Sequence, residues 1–254
     1  MDNKVRRREL YELIKRQKEV LVSEAAEQLG VSCMTVRRDL VEMEKEDLIS
    51  RSYGKAVLKN ASANELGFEE RILINLAAKQ SVARAAVQLV ERMNSIFLDG
   101  STTCNELAKL LPRNQKLTVI TCNLNALFFL RGMPNVSVFV LGGALAPDRN
   151  NMDGEYTYLM AKNIYVDGAF MSCGGFSENG IVDSNLAGSQ VRDVMMHHAG
   201  ACVMLADHNK YMQRGLFNIS NWDNIDDFVT DQMPQQTLID ALRKNDVRLS
   251  VTER

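Results

Sequence analysis

The sequence predicts two units: an N-terminal α+β winged helix-turn-helix over residues 1–58 and a C-terminal α/β unit, a Rossmann-like parallel sheet, over 68–254. Three observations predict this. The run Val31-Ser-Cys-Met-Thr-Val-Arg-Arg-Asp-Leu40 follows a helix-like stretch ending in Gly30, as the turn and second helix of a helix-turn-helix would. From Phe68 onward, short β-rich runs alternate with helical patterns, which implies a mostly parallel sheet covered on both faces. Between the two, Lys59-Asn-Ala-Ser-Ala-Asn-Glu-Leu-Gly67 is small and polar, a linker by composition over 59–67.

Composition agrees with this division. At 254 residues, 46% hydrophobic and 24% charged, the chain can build two packed cores and is not of disordered type. Aromatic residues are only 6%, so those cores must be mainly aliphatic and methionine. No apolar run approaches membrane-spanning length and the N-terminus lacks a signal pattern, so a cytoplasmic protein with no membrane contact is expected. The five cysteines are scattered without a C-x-x-C pair; reduced thiols, and neither disulfide, metal nor cofactor, are expected.

In the first unit Leu10, Leu13 and Ile14 recur at helical spacing, predicting a helix from about Val5 to Arg16. Ser23 is a candidate N-cap for a short helix, Glu24 to Leu29, and Gly30 stands where a helix end takes a left-handed residue. Ser32 can cap the third helix. There Val36, Leu40 and Met43 share a narrow arc toward the core, Met34 and Arg38 point away, and Thr35 and Arg37 flank them. Leu48 to Leu58, around Gly54, reads as a two-stranded wing from which Arg51 and Lys55 could reach a phosphate backbone.

Lys4, Arg6, Arg7 and Arg8 would add to that basic surface if the fold gathers them on one side. Taken alone, Arg37-Arg38 is as well a solvated face paired with Asp39, Glu42 or Glu44. Three helical segments, the glycine turn, the outward basic face and the wing together favour double-stranded DNA as the partner. The candidate contacts are Met34, Thr35, Arg37, Arg38, Arg51 and Lys55.

In the second unit, strands are expected at 96–99, 117–121, 136–141, 166–172, 202–207 and 228–231, with helices at 82–91, 103–111, 123–131, 155–162 and 185–199. Ligands of open parallel sheets collect where strands end and helices begin. The sharpest such place is Asp99-Gly-Ser-Thr-Thr103, whose unpaired amides and hydroxyls at a helix N-terminus meet the needs of an anion cradle. The same residues would serve equally as an ordinary N-cap. Asn123, Gly142 and Gly143, Gly174, Asp183 and Lys210 stand in the other strand-end loops; each of these taken alone has a structural reading too. His197, His198 and His208 form no spaced acid–base or metal set.

VSCMTVRRDL, followed by LISRSYGKAV, resembles the DNA-binding segment of the DeoR-type sugar-metabolism repressors. The likeness continues through Asp99-Gly-Ser-Thr-Thr, Thr121-Cys-Asn123, Leu141-Gly-Gly143, Cys173-Gly-Gly175 and Ala206-Asp-His-Asn-Lys-Tyr211. It implies a sensor domain similar to ribose-5-phosphate isomerase, with a phosphorylated sugar bound by Asp99, Gly100, Ser101, Thr102, Thr103, Asn123, Gly142, Gly143, Gly174, Asp183 and Lys210. It implies a repressor; because one winged helix reads too few base pairs for a unique site, a homodimer or homotetramer is expected. Two departures stand out. Tyr53-Gly-Lys55 replaces the family's usual His-Gly-Gly, and Ser172-Cys-Gly-Gly175 lacks the acid of its Gly-Ala-Asp-Gly loop. An active isomerase fused to a DNA-binding unit, and a DNA-binding protein whose second unit only oligomerises, remain the alternatives.

Overall fold

The computed structural model describes residues 3–17, 19–45, 49–52, 55–58, 68–147 and 150–252. The chain forms two compact units, 1–66 and 67–254. The expected linker 59–67 and the wing tip Tyr53-Gly54 lie outside the described residues.

The first unit runs α1 (Asn3–Gln17), β1 (Glu19–Leu21), α2 (Val22–Leu29), α3 (Cys33–Lys45), β2 (Ile49–Ser52) and β3 (Lys55–Leu58). Leu10 and Ile14 of α1 meet Val36, Leu40 and Met43 of α3 in a core where all five are at most 2% exposed. Each such burial stabilises by about 1.5–3 kcal/mol. Helix α2 stops at Gly30, which takes φ 63°, ψ 34°, while the Val31 amide donates back to the Ala26 carbonyl at 3.0 Å. That left-handed turn suits glycine because it carries no Cβ. Ser32 caps α3, its Oγ accepting from the Thr35 amide at 3.1 Å.

Two expectations are corrected in this unit. Ser23 is not a cap: α2 begins at Val22 after Leu21, which makes no side-chain capping bond. The reason is β1, which delivers the chain directly into the helix. The wing is also larger than a hairpin, since β1 pairs antiparallel with β3 and the sheet order is β1-β3-β2.

The second unit runs α4 (Phe68–Leu73), α5 (Leu76–Val90), β4 (Ser95–Leu98), α6 (Thr102–Leu110), β5 (Leu117–Thr121), α7 (Leu124–Leu130) and β6 (Val136–Val140). A short hairpin of β7 (Ala144–Leu145) and β8 (Met152–Asp153) follows, then α8 (Glu155–Ala161) and β9 (Gly168–Met171). Next come β10 (Gly175–Ser177), β11 (Gly180–Asp183), α9 (Leu186–His197) and β12 (Cys202–Leu205). The chain finishes with β13 (Phe217–Ser220), β14 (Asp227–Thr230), α10 (Gln236–Lys244) and β15 (Arg248–Val251).

Among the described residues the main sheet has seven strands in the order β15-β14-β12-β9-β4-β5-β6, all parallel. Side chains alternate between its faces, as period 2 requires. Phe97, Met171, Met204 and Phe228 enter the core with α9 and α10, whereas Ile96, Leu98, Phe170, Val203 and Val229 enter the core with α5, α6 and α7. Both faces are covered, which is why the strands read as unbroken apolar runs.

The six expected strands appear within one or two residues. Sequence reading missed β15, α4, α10 and the antiparallel sheet β10-β11-β13, and it began α5 six residues late. Strand order reverses at β4: the chain moves outward through β5 and β6, then returns to place β9 on the other side. That reversal opens a crevice at the carboxyl ends of β4 and β9. No helix among the described residues is long and apolar enough to cross a membrane.

Candidate functional site

The outer face of α3 and the crevice between β4 and β9 are the two places where chemistry gathers. On α3, Met34 is 65% exposed. Arg37 and Arg38 are also exposed, and neither has an ion pair among the described residues. Thr35 is half-buried and bonds Ser32. Two of the three candidate acids of a merely solvated face, Asp39 and Glu44, are engaged elsewhere. Asp39 is 2% exposed and takes the Arg6 guanidinium in two bonds, Nε to Oδ2 at 2.6 Å and Nη2 to Oδ1 at 3.1 Å. Glu44 takes Arg51 on one oxygen, Oε2 accepting from Nε at 2.7 Å and from Nη2 at 2.5 Å.

Both pairings revise the expected basic surface. Arg6 is a buried strut between α1 and α3, and Arg7 leans on the same carboxylate at 3.5 Å. Arg51 belongs to a strut between α3 and β2, while Lys55 is exposed on β3. These struts fix the angle at which α3 presents Arg37 and Arg38.

In the crevice, Asp99 follows β4 and is 1% exposed. Its carboxylate accepts the Ser101 amide at 2.8 Å and, across the strand reversal, the Ser172 amide at 2.9 Å. Ser101 caps α6 by accepting from the Cys104 amide at 3.1 Å, so the N-cap reading of this loop holds. The Asn105 amide goes to the Ser101 carbonyl. The amides of Thr102 and Thr103 are left as unbonded donors of that first turn among the described residues. The buried Thr103 Oγ1 has no partner either. The loop is therefore a cap and an open donor cluster at once.

Lys210 extends from the loop after β12, and its Nζ donates to Ser172 Oγ and the Cys173 carbonyl, both at 2.8 Å. Asn123 caps α7 through Oδ1, which accepts from the Ala126 amide at 2.9 Å and Asn150 Nδ2 at 3.1 Å. Its Nδ2 is buried without a partner. Gly100 receives Asn151 Nδ2 on its carbonyl at 3.1 Å. At Gly143 a Cβ would stand 2.1 Å from Thr157 Oγ1 and 2.5 Å from the Asp153 carbonyl oxygen, so close packing demands the glycine. Gly142 accepts from Thr157 Oγ1 at 2.9 Å.

Two expected residues are occupied by structure. The Gly174 amide donates to the Val182 carbonyl at 3.0 Å and cannot also serve a guest. Asp183 holds the Ser184 and Asn185 amides on Oδ1 and Arg192 on Oδ2.

Sequence reading missed several members. Arg192 of α9 lies between Asp183, at 2.7 Å, and Asp99, at 3.8 Å. Burial opposes its charge, yet the two carboxylates hold its pKa above the ordinary value. Asn185 Nδ2 continues the chain of contacts to Asp153 at 3.2 Å. Lys79 of α5 is 3% exposed beside Asp207 and Lys210. No motif flags these side chains, because their partners come from distant segments.

Open amides, hydroxyls and ammonium groups near Ser101–Thr103 suit an anion. The carboxylates Asp99 and Asp153 suit hydroxyl groups. Burial pushes the thiols of Cys122 and Cys173 up to about 12, so they are poor nucleophiles. Among the described residues, no group of three His, Cys, Asp or Glu could hold a metal ion.

Residues 6–62 match the DeoR-like helix-turn-helix domain and residues 74–232 the DeoR C terminal sensor domain. The transcriptional regulator GolR of Listeria innocua is 30% identical over 98% of each chain. The repressor GlcR of Bacillus subtilis is 29% identical over 96% of this chain and 94% of its own. The glycerol-3-phosphate regulon repressor of Escherichia coli is 24% identical over 95% and 96%. Ribose-5-phosphate isomerase A of Methanocaldococcus jannaschii overlays with a TM-score of 0.40 and 18% identity, over 55% of this chain and 56% of that one. With both of its domains matched, the chain belongs to the DeoR family of DNA-binding transcriptional regulators.

Proposed function

We propose that this regulator is a cytoplasmic, homo-oligomeric repressor of a carbohydrate-utilisation operon, and that a phosphorylated sugar in the β4/β9 crevice controls its hold on DNA. The observation that carries the reading is the set of unbonded donors at the start of α6, facing the strand reversal where Lys210 is anchored. The phosphate would sit on the Thr102 and Thr103 amides with Ser101, Gly100 and Lys210. Asp99, Asn123 Nδ2 and the loops at Gly142–Gly143 and Asp183 would bound the sugar, with Gly174 acting through packing alone. The division into a DNA-binding unit at 1–58, a linker at 59–67 and a sensor at 68–254 belongs to this proposal.

On DNA, α3 would enter the major groove with Met34, Thr35, Arg37 and Arg38, while Lys55 approaches the backbone and Arg51 acts through its strut to Glu44. One such helix reads too few base pairs for a unique site, so two symmetric copies on a repeat are required. The ligand must favour an arrangement whose recognition helices no longer match the half-site spacing, since equal affinity for both arrangements would change nothing. Arg38→Ala should weaken duplex binding by about 1–3 kcal/mol and lower the salt slope by about one. A fluorescence titration at several salt concentrations reads both, and an unchanged slope would remove Arg38 from the interface.

A sensor is favoured over an isomerase because the histidines are dispersed and the Cys173-Gly-Gly175 loop brings no acid. His208 is committed to Asp231 at 2.7 Å. A thermal-shift screen with phosphorylated and unphosphorylated sugars tests the reading. A saturating effector raises the melting temperature by mass action. Lys210→Ala should weaken that ligand about tenfold or more, the loss of one charge-assisted contact worth roughly 1.5–3 kcal/mol, and leave apo DNA binding intact. No response to any phosphorylated sugar, with the protein folded, would leave the crevice without this role.

A further inference from the structure

Lys79 projects from the first turn of α5 into the carboxyl-end side of the sheet. Asn75, just before that helix, adopts a left-handed backbone (φ 52°) and donates from Nδ2 to Asp207 Oδ1 at 3.1 Å, which ties the helix start to the loop that carries Lys210. Lys79 is 3% exposed, yet its amine makes one hydrogen bond among the described residues, to the Arg71 carbonyl of α4. An ammonium has three donors, so two remain open in a buried place. On α6, which packs against α5, the buried Thr103 Oγ1 and Asn105 Oδ1 are without partners as well. A lysine buried with open donors has not been placed there for stability.

We propose that Lys79 is a second cation of the anion subsite, and that ligand binding near neutral pH is accompanied by proton uptake on its amine. The inference rests on the reading of the crevice as a sugar-phosphate sensor and adds to it a residue and a proton. The groups that face Lys79 are Arg71 from α4, Glu106 from α6, and Asp207 and Lys210 from the loop after β12. Burial first, then Lys210 and Arg71, disfavour its charge and bring its pKa down to about 7, against the opposing pull of Asp207 and Glu106. An incoming dianion reverses that balance and draws a proton from solvent. Affinity then falls as pH rises above about 7, by at most tenfold per pH unit for one linked proton.

Sodium sulfate is the probe, because its charge is constant from pH 6 to 9. Calorimetric titrations of the full chain at pH 7.5, in two buffers of different ionisation enthalpy, count the protons taken up. The expected result is more than half a proton per sulfate, with binding that weakens from pH 7 to 9. Lys79→Met should abolish both while the protein stays folded. Sulfate binding with buffer-independent enthalpy and flat pH dependence would overturn the proposal, even if Lys79→Met could not be purified. If sulfate does not bind while a sugar phosphate still raises the melting temperature, the Lys79 proposal fails alone. If neither acts, the sensor reading fails with it.

Discussion

Asp39→Ala should destabilise the winged-helix unit by about 3–5 kcal/mol, the usual cost of stranding one member of a buried ion pair. Asp39 and Arg6 are 2% and 9% exposed, and the guanidinium holds the carboxylate through two hydrogen bonds. Removing the acid leaves Arg6 charged and desolvated between α1 and α3. Small domains have only about 5–15 kcal/mol in total. Calorimetry on the full chain should show a transition lowered by about 4–8 °C for each kcal/mol lost, together with weakened DNA binding. The double variant Arg6→Met with Asp39→Leu should recover most of the loss, because an apolar pair of similar volume is often neutral or better. A single variant that melts like the parent would show that the strut is dispensable.

Lys79→Met should act in the opposite direction and stabilise the sensor unit. Its pKa is lowered from the ordinary 10.5 to about 7, so the folded state disfavours the ammonium form. Below pH 7 both folded and unfolded chains carry the proton, and the full cost of burying it is present. Between pH 7 and 10.5 the unfolded chain binds a proton that the folded chain has released, so stability rises with pH. Above 10.5 neither state is charged and the cost is gone. The variant's advantage is therefore greatest near pH 6, up to about 5 kcal/mol at 1.36 kcal/mol per unit, and it shrinks toward pH 10. Urea midpoints of parent and variant at pH 6 and pH 9 measure this, and an equal difference at the two values would contradict it. Gained stability with lost ligand affinity is the pattern of a functional group held at structural cost.

The face of α3 was legible because three apolar residues at helical spacing define its inner side, which leaves Arg37 and Arg38 outside. The central strands were legible because burial on both faces makes them continuous apolar runs. Strand β1 was not: it is three residues long, and its pairing partner, Lys55–Val57, lies over thirty positions away. For the same reason nothing local distinguishes Arg6, whose partner is 33 residues distant, from the neighbouring Arg8 that faces solvent. Arg192 lay within an expected helix, but its role depends on Asp99 across the sheet. Lys79 lay outside the expected start of α5. The strand-end loops are legible in the sequence; the charges beside them come from tertiary packing.

Coupling between the crevice and the recognition helix is measured most directly by fluorescence anisotropy on a duplex the chain itself selects from a random pool. The phosphorylated sugar that raises the melting temperature should weaken binding to that duplex by about 5–150-fold, the usual range for linked sites, while its unphosphorylated counterpart has no effect. By the same linkage the duplex must weaken the sugar phosphate by an equal factor. Identical duplex affinity with and without saturating sugar phosphate would contradict the account.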